Sequence, residues 1–265
     1  MPTPLSKPTV GHHLRDWRQR RRLSQLDLAC DANISPRHLS FVETGRSMPS
    51  REVILRLADQ LQIPMRERNV LLVAAGFAPM FAERSLDDPA LGPVRAALDL
   101  VLEGHKPYPA FAIDRHWQIV ATNGALPQLY EGVAPHLMQP PINAMRISLH
   151  PDGLAPRISN LPEWREHLLA RLRQQIDLTA DPVLVDLLRE LSGYPCAQRA
   201  PKHVDPVSNV VVPLRIATSL GELSFFGTTM IFGTPVDITL SELALESFFA
   251  ADKETDAIVR RAAVA

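Results

Sequence analysis

Apolar residues recur at helical spacing through the first 76 residues of the chain. Val10, Leu14 and Trp17 stand at i, i+4 and i+7, which predicts a first helix with one apolar stripe. Leu39 and Val42 supply an i, i+3 pair for a third helix, and helical spacing continues through residues 54–61. Five short helices are therefore expected before about residue 76, and together they would form one compact unit.

Residues that begin and end helices stand close together in the second and third of these helices. Ser24 is a candidate N-cap of the second helix, and Ser35 followed by Pro36 fits the N-cap and first turn of the third. Asn33 tolerates the left-handed backbone conformation that closes a helix, and Gly45 fits the end of the third helix. Two capped helices joined by a three-residue connection predict a helix-turn-helix.

The pattern changes after residue 78. Residues 79–92 are rich in proline and acidic residues and indicate a linker. Beyond them, β-branched and aromatic segments predict strands at 110–113, 117–121, 209–216 and 222–232, and leucine spacing predicts helices at 161–175 and from 181–182 onward. The predicted class is α+β, with an all-α five-helix domain at 1–78 and a second domain of helices and an antiparallel sheet at 93–265.

Length and composition fit two folded domains. The chain has 265 residues, 46% of them hydrophobic and 22% charged, which is ordinary globular composition. The longest nearly apolar stretch, residues 70–82, is too short for a membrane span, and the first ten residues lack the apolar core of a secretory signal. A cytoplasmic protein without a membrane partner is expected. Cys30 and Cys196 indicate neither a disulfide framework nor a thiolate zinc site.

Charge is distributed unevenly along the chain. Residues 1–51 hold nine basic and four acidic residues, a net charge of +5, although the whole chain carries −1. A basic unit attached to an acidic one indicates that the basic unit binds a polyanion.

The expected third helix offers a surface for that polyanion. If its apolar pair faces the core, Arg37, His38 and Phe41 are left on the opposite side, where they can enter the major groove of DNA. The Ser35 hydroxyl and the helix-terminal N–H groups would then contact phosphates, while Arg37 contacts base edges. Double-stranded DNA is therefore the predicted partner.

The segment LSQLDLACDANISPRHLSFVETGRSMPS resembles the XRE family of helix-turn-helix domains, to which phage repressors belong. The resemblance covers about residues 10–76 and implies a role for each matching residue. Gln25 would contact phosphate, Arg37, His38 and Phe41 would face bases, Arg18 and Glu43 would form an ion pair between helices, and Arg46 with the Gly45 N–H would hold a phosphate. Pro36 stands where repressors often have a base-reading glutamine, and its ring can still contact a thymine methyl. Phe41 could instead pack against neighbouring helices.

Residues of about 93–255 resemble the carboxy-terminal domain of MmyB-like transcription regulators, through AFAIDRHWQIVATN, NAMRISLHPDG and TLSELALESFFAAD. The resemblance implies a PAS-like fold with an apolar cavity that holds a small hydrophobic ligand such as a fatty acid. Phe226 and Met230 on one strand, with Trp164 and Leu168 on one helix, are candidate lining residues, although such stripes also form ordinary cores. Arg146 and His150 are candidate partners for an acyl carboxylate, and His150 could equally pack in its turn.

Catalysis is not expected, because the common phosphate-loop, dinucleotide, zinc-protease and nucleophile-elbow motifs are absent from the sequence. No cofactor or metal ion is expected either. Asp114, His116 and Ser148 would form a triad only by chance. The predicted function is a transcription regulator that binds a roughly palindromic operator as a homodimer and is modulated by a fatty-acid-like ligand. The alternative is that the second domain binds a protein, as in antitoxins or sigma-binding regulators.

Overall fold

A computed structural model describes residues 9–196 and 212–264. The chain divides into two compact units, of which the first consists mainly of residues up to Glu83 and the second of most of the residues after it. No helix in the described part of the chain is long and apolar enough to span a bilayer.

Five helices form the described part of the first unit, in agreement with the five predicted. They are α1 (Val10–Arg20), α2 (Gln25–Asp31), α3 (Pro36–Glu43), α4 (Arg51–Gln60) and α5 (Met65–Ala74). A side-chain oxygen of the residue before the helix caps each of the first four, from Thr9, Ser24, Ser35 and Ser50. Their apolar stripes meet in a core that fully buries Leu14, Leu28, Leu39, Ile54 and Leu57. Burial of these side chains is the main stabilising contribution, because helices this short are marginal alone.

The second unit combines a sheet with six helices in the described residues. The helices are α6 (Gly92–Gly104), α7 (Ala144–Leu149), α8 (Leu161–Thr179), α9 (Pro182–Ser192), α10 (Ile238–Ser241) and α11 (Lys253–Ala262). The strands are β1 (Ala110–Ile113), β2 (Ile119–Thr122), β3 (Leu214–Thr218), β4 (Gly221–Ile231) and β5 (Ala244–Ala250). They pair antiparallel in the order β2-β1-β5-β4-β3. The predicted α+β class is confirmed.

Three of the four strand predictions match to within two residues at each end, and one strand was missed. The hairpin of β1 and β2 pairs Phe111 with Thr122, and β4 lies within one residue of the predicted segment. The start of the third predicted strand, residues 209–211, lies outside the described residues. No strand was predicted at β5, although β5 is central and pairs with both β1 and β4.

The two faces of the sheet pack against different helices. On one face, Leu98 and Leu102 of α6 pack against Ala110, Ala112 and Leu245. The opposite face contributes to the larger core, whose buried residues come from β1, β3, β4 and the helices α7, α8 and α9. Because side chains alternate along a strand, each residue of β4 and β5 belongs to one face only. This alternation decides which side chains of the two strands reach the larger core.

Candidate nucleic-acid interface and ligand cavity

The turn between α2 and α3 has the geometry of a helix-turn-helix. Ser24 and Asp27 form a capping box at the start of α2, and Asn33 takes a left-handed backbone conformation, with φ of 50°. The Ser35 hydroxyl oxygen accepts a hydrogen bond of 3.1 Å from the His38 backbone N–H, and Pro36 is the first residue of α3. Each cap satisfies a backbone N–H that a short helix leaves unpaired. The caps of the two helices and the left-handed residue between them therefore determine the conformation of this turn.

Gly11 lets α1 approach the backbone of α3. A Cβ atom at Gly11 would lie 2.2 Å from the Val42 carbonyl oxygen and 3.0 Å from that of Glu43. Real Cβ atoms do not come so close to backbone oxygens, so only glycine fits between the two helices here. The close contact fixes the position of α3 relative to α1.

We expect Gly11→Ala to destabilise the first unit by about 1–3 kcal/mol, the usual cost of overpacking a core. The clash involves backbone, which cannot rotate away, so α3 itself must shift. Urea unfolding measures the loss of stability, and amide hydrogen exchange of α3 shows whether it is local. Gly104→Ala is the control, because a Cβ at Gly104 in α6 meets no atom within 4 Å apart from the adjoining backbone of its own helix. Equal effects of the two substitutions would contradict this explanation.

Two guanidinium groups, one on α3 and one just beyond its end, lie beside a single aromatic ring on the outward side of this helix. Leu39 and Val42 are buried, whereas Arg37 and Arg46 are exposed and Phe41 is half-buried. The guanidinium carbons of Arg37 and Arg46 lie 5.3 and 5.9 Å from the centroid of the Phe41 ring. Cation–π contacts at this distance hold the two long side chains near the ring. Phe41 is therefore partly packed and partly exposed beside the two guanidinium groups.

Behind this surface, Arg18, Gln25 and Glu43 form a hydrogen-bonded network. The Arg18 guanidinium donates to both carboxylate oxygens of Glu43, at 2.6 and 2.8 Å, and to the Leu23 carbonyl oxygen at 2.9 Å. Gln25 Nε2 donates to Glu43 Oε2 at 2.8 Å. The bond to Glu43 raises the pKa of Arg18, so the guanidinium stays charged. The ion pair thus links α1 to α3, and the amide of Gln25 at the start of α2 is held by the same carboxylate.

The remaining residues expected at the interface lie around the ends of α3. Ser35 and Pro36 are exposed at its start and His38 is half-buried. Gly45 has φ of 74°, which suits glycine at a helix end. Its N–H donates to the Val42 carbonyl oxygen at 3.1 Å. That N–H is therefore already paired, which leaves the Arg46 side chain as the better candidate for holding a phosphate.

A cavity of about 290 Å³ lies in the second unit, between the sheet and helices α7 and α8. Most of its lining is apolar, as is usual for sites that bind small molecules. The aromatic, polar and larger apolar side chains of the lining include Trp117, Tyr130, Ser148, Trp164, His167, Leu168, Arg171, Phe225, Glu246 and Phe248. On β4 and β5 they stand at alternate positions, so they share one face of the sheet.

Two of the six predicted ligand residues line this cavity, namely Trp164 and Leu168. Phe226 and Met230 do not, because β4 alternates and Phe225 occupies the inward position instead. Phe226 stacks on Phe249, with ring centroids 5.3 Å apart, and Met230 is 52% exposed. The expectation that Phe226 and Met230 line the cavity is wrong, because a shift of one residue along β4 places both side chains on the other face of the sheet.

Arg146 and His150 also lie away from the cavity, on a separate depression of about 240 Å³ that includes Glu190 and Tyr194. Arg146 donates to both carboxylate oxygens of Glu190, each at 2.8 Å, and this bond raises its pKa. The His150 ring lies 4.9 Å from that of Tyr194. The prediction that they meet a carboxylate in the apolar cavity is therefore wrong, because Arg146 already has its carboxylate.

One group of side chains in the described residues has the spacing of a metal site. The nitrogen and oxygen atoms that His136, His150 and Asp152 could offer all lie within 4.8 Å of one another. The Asp152 backbone N–H donates to Nδ1 of His150 at 3.0 Å, so that nitrogen already accepts a hydrogen bond.

The polar residues of the cavity were not singled out from the sequence. Arg171 follows Trp164 and Leu168 at i+7 and i+3, so it lies on the same stripe of α8. Glu246 stands on β5 between Ala244 and Phe248, and is 4% exposed. A charged residue within an apolar helical stripe is the signal that could have indicated Arg171. Glu246 could not have been found without the strand β5.

His167 titrates within the cavity wall. Its ring stacks on Trp164, with centroids 5.5 Å apart. Burial lowers the pKa of His167 from its ordinary 6.5, and the positive charge of Arg171 lowers it further, against an opposing effect of Glu246. The imidazole is therefore neutral at neutral pH.

This lowered pKa predicts a loss of stability in mild acid. Above pH 6.5 His167 is neutral in both the folded and the unfolded chain. As the pH falls below that value, the unfolded chain takes up the proton first, so the free energy of unfolding decreases until the pH passes the folded pKa. Urea unfolding at a series of pH values should show this decrease, and His167→Gln should remove part of it. A pH profile for His167→Gln identical to that of the unaltered protein would refute the assignment.

The chain matches two known domain families. Residues 94–262 match the MmyB-like transcription regulator ligand binding domain, and residues 9–71 match a helix-turn-helix domain. Together with the fold, these matches define a DNA-binding transcription regulator that carries a ligand-binding domain. The chain belongs to the family of MmyB-like transcription regulators, and both resemblances drawn from the sequence are confirmed.

Individual relatives cover only part of the chain. Multiprotein-bridging factor 1 of Debaryomyces hansenii is 29% identical over 84 residues, which are 32% of this chain and 52% of that protein. The Candida albicans protein of the same name is 28% identical over 76 residues, which are 29% of this chain and 46% of that protein. This chain thus spans about half the length of the curated relatives it matches. In the solved structure of the clp gene regulator ClgR from Corynebacterium glutamicum, the similarity covers 40% of this chain and 99% of that one, at 26% identity and a TM-score of 0.24.

Proposed function

We propose that this protein binds a roughly palindromic operator as a homodimer and inserts the outward side of α3 into the major groove. The observation that carries the proposal is the surface formed by Arg37 and Phe41 on the outward side of α3 and by Arg46 just beyond its end, whereas the other side of the helix is buried. A two-fold dimer places two such helices about 34–36 Å apart, one helical turn of DNA. Two half-sites are needed because one small helix-turn-helix offers few contacts.

Each residue of the interface has a proposed role. Arg37 donates to the major-groove edge of a guanine, because its fork of N–H groups matches O6 and N7. Arg46, Ser35 and Gln25 contact phosphates, and Gln25 does so while one of its N–H groups remains on Glu43. Pro36, His38 and Phe41 contact bases, the apolar ones through thymine methyls. Phosphate contacts fix the register, and base contacts give the preference for sequence.

Separate variants of the two arginines test this division of roles. Arg37→Ala should cost about 1–3 kcal/mol of binding to the preferred operator and relax the preference at one base position. Arg46→Ala should weaken binding to all DNA sequences alike. Affinities for the selected operator and for a panel of single-base variants measure both effects. Arg189→Ala, at an exposed position in the second unit, is the control. Equal losses for Arg37→Ala and Arg46→Ala across the whole panel would contradict the assignment.

We further propose that the cavity of the second unit holds a small hydrophobic ligand that changes affinity for the operator. The apolar lining and the membership of the ligand-binding family support this. They favour a ligand over the alternative of a protein partner for this domain. A ligand can act on DNA binding only through different affinities for two arrangements of the protein. Operator affinity measured with and without saturating ligand tests the coupling, and an unchanged affinity would refute it.

A further inference from the structure

The charged side chains of the cavity wall are already paired with each other. Arg171 Nη2 donates to Glu246 Oε1 at 2.7 Å, and Arg171 Nη1 donates to Glu246 Oε2 at 3.0 Å. Thr229 joins the pair, since its hydroxyl accepts from Arg171 at 2.8 Å and donates to Glu246 at 2.9 Å. The guanidinium carbon of Arg171 also lies 4.8 Å from the centroid of the Trp117 ring. The cation is therefore fixed in place and its charge is compensated.

The other polar side chains of the lining bring no net positive charge. His167 is neutral near pH 7 because burial lowers its pKa. The Ser148 hydroxyl oxygen accepts a 2.8 Å bond from Trp164 Nε1. Burial raises the pKa of Tyr130, so its phenol stays protonated and can donate a hydrogen bond. The opposite charges of Arg171 and Glu246 thus cancel, and the remaining polar groups are neutral hydrogen-bond donors and acceptors.

A carboxylate entering this cavity would meet an unfavourable environment. Its closest cation is already bound to Glu246 through two hydrogen bonds, and the Glu246 side chain is only 5% exposed. A second carboxylate beside Arg171 would place two negative charges together where little water screens them, which is costly. A neutral head group avoids this repulsion and can still exchange hydrogen bonds with the wall.

We propose that the cavity selects an uncharged amphiphile, with one apolar chain and a neutral head such as an alcohol or amide, over the fatty acid anion of the same length. This rests on the proposed ligand-binding function of the cavity and replaces the fatty-acid-like head group expected from the sequence. Glu246 is the residue that determines this specificity, because it occupies the cation that a carboxylate would need.

Three probes of equal chain length test the proposal with the full-length protein: decan-1-ol, decanamide and decanoate. Decanoate is ionised at about pH 7, whereas the other two are neutral. Titration followed by calorimetry or by the fluorescence of the cavity tryptophans should show the neutral probes binding about tenfold tighter or more. Decanoate binding as tightly as the neutral probes would overturn the proposed selectivity and leave the ligand cavity intact. Binding of none of the three would overturn the ligand cavity itself, and the selectivity with it.

Glu246→Gln provides the sharper test. It keeps the shape of the side chain but frees the charge of Arg171, so the preference should shift toward decanoate by about tenfold or more. The double variant Arg171→Gln with Glu246→Gln is the matched control, because it removes both charges and should restore the preference for neutral probes. An unchanged ranking in folded Glu246→Gln would contradict the role of Glu246. If circular dichroism shows that this variant is unfolded, the ranking of the three probes in the unaltered protein decides.

Discussion

Replacing Arg18 by alanine should lower the free energy of unfolding of the first unit by about 3–5 kcal/mol, the cost of leaving a buried charge without its partner. The side chain of Glu43 is only 1% exposed and that of Arg18 11%. Removal of the guanidinium takes two hydrogen bonds from the carboxylate and one from the Leu23 carbonyl oxygen. Gln25 alone then remains on the buried carboxylate. Urea unfolding, with hydrogen exchange of α1 and α3, measures the loss.

Two control variants separate this effect from a general loss of positive charge. Arg15→Ala removes an exposed arginine of the same helix and should change stability by less than about 0.5 kcal/mol. Replacing both partners with apolar residues, Arg18→Met with Glu43→Leu, should recover most of the loss, because no buried charge remains. A loss of under about 1 kcal/mol for Arg18→Ala would show that the network contributes little to folding.

Affinity for the operator should fall about 10³–10⁵-fold between 50 and 200 mM salt if the dimer makes 6–10 phosphate contacts. The net charge of +5 on residues 1–51 is the source of this dependence, because each neutralised phosphate releases condensed cations. Fluorescence anisotropy of a labelled operator over a range of salt concentrations gives the slope.

Single arginine variants show whether the slope arises at the proposed surface. Arg46→Ala should reduce the slope by about one phosphate contact, whereas Arg189→Ala in the second unit should leave it unchanged. A response to salt that is nearly flat would contradict DNA binding through this basic unit. If the slope is steep but Arg46→Ala leaves it unaltered, the phosphate contacts do not lie at the end of α3.

The helix-turn-helix could be predicted because its determinants are local in sequence. Ser24, Asn33, Ser35 and Pro36 act on backbone atoms within a few residues, and all four have the predicted conformations or caps. The role of Gly11 could not be predicted, since it depends on the backbone of α3, which lies about 30 residues further along the chain.

The ligand cavity was predicted as a feature but not in its detail. Trp164 and Leu168 share a helical stripe, and helical spacing fixes which side they occupy. Whether Phe225 or Phe226 faces the cavity depends on the pairing of β4 with β5. An error of one residue in this pairing exchanges the two faces of the strand. The partner of Arg146 is Glu190, 44 positions away, and such long-range pairs are invisible to local patterns.

The most direct test of the proposed DNA interface is a double-mutant cycle between Arg37 and one guanine of a selected operator. Each guanine is replaced in turn by 7-deazaguanine, which lacks the major-groove acceptor N7, and affinity is measured for the unaltered protein and for Arg37→Ala. The proposal predicts one guanine per half-site whose replacement costs the unaltered protein about 1–3 kcal/mol and costs Arg37→Ala almost nothing. If the loss of affinity from Arg37→Ala and the loss from 7-deazaguanine add at every guanine, Arg37 does not contact base edges in the major groove.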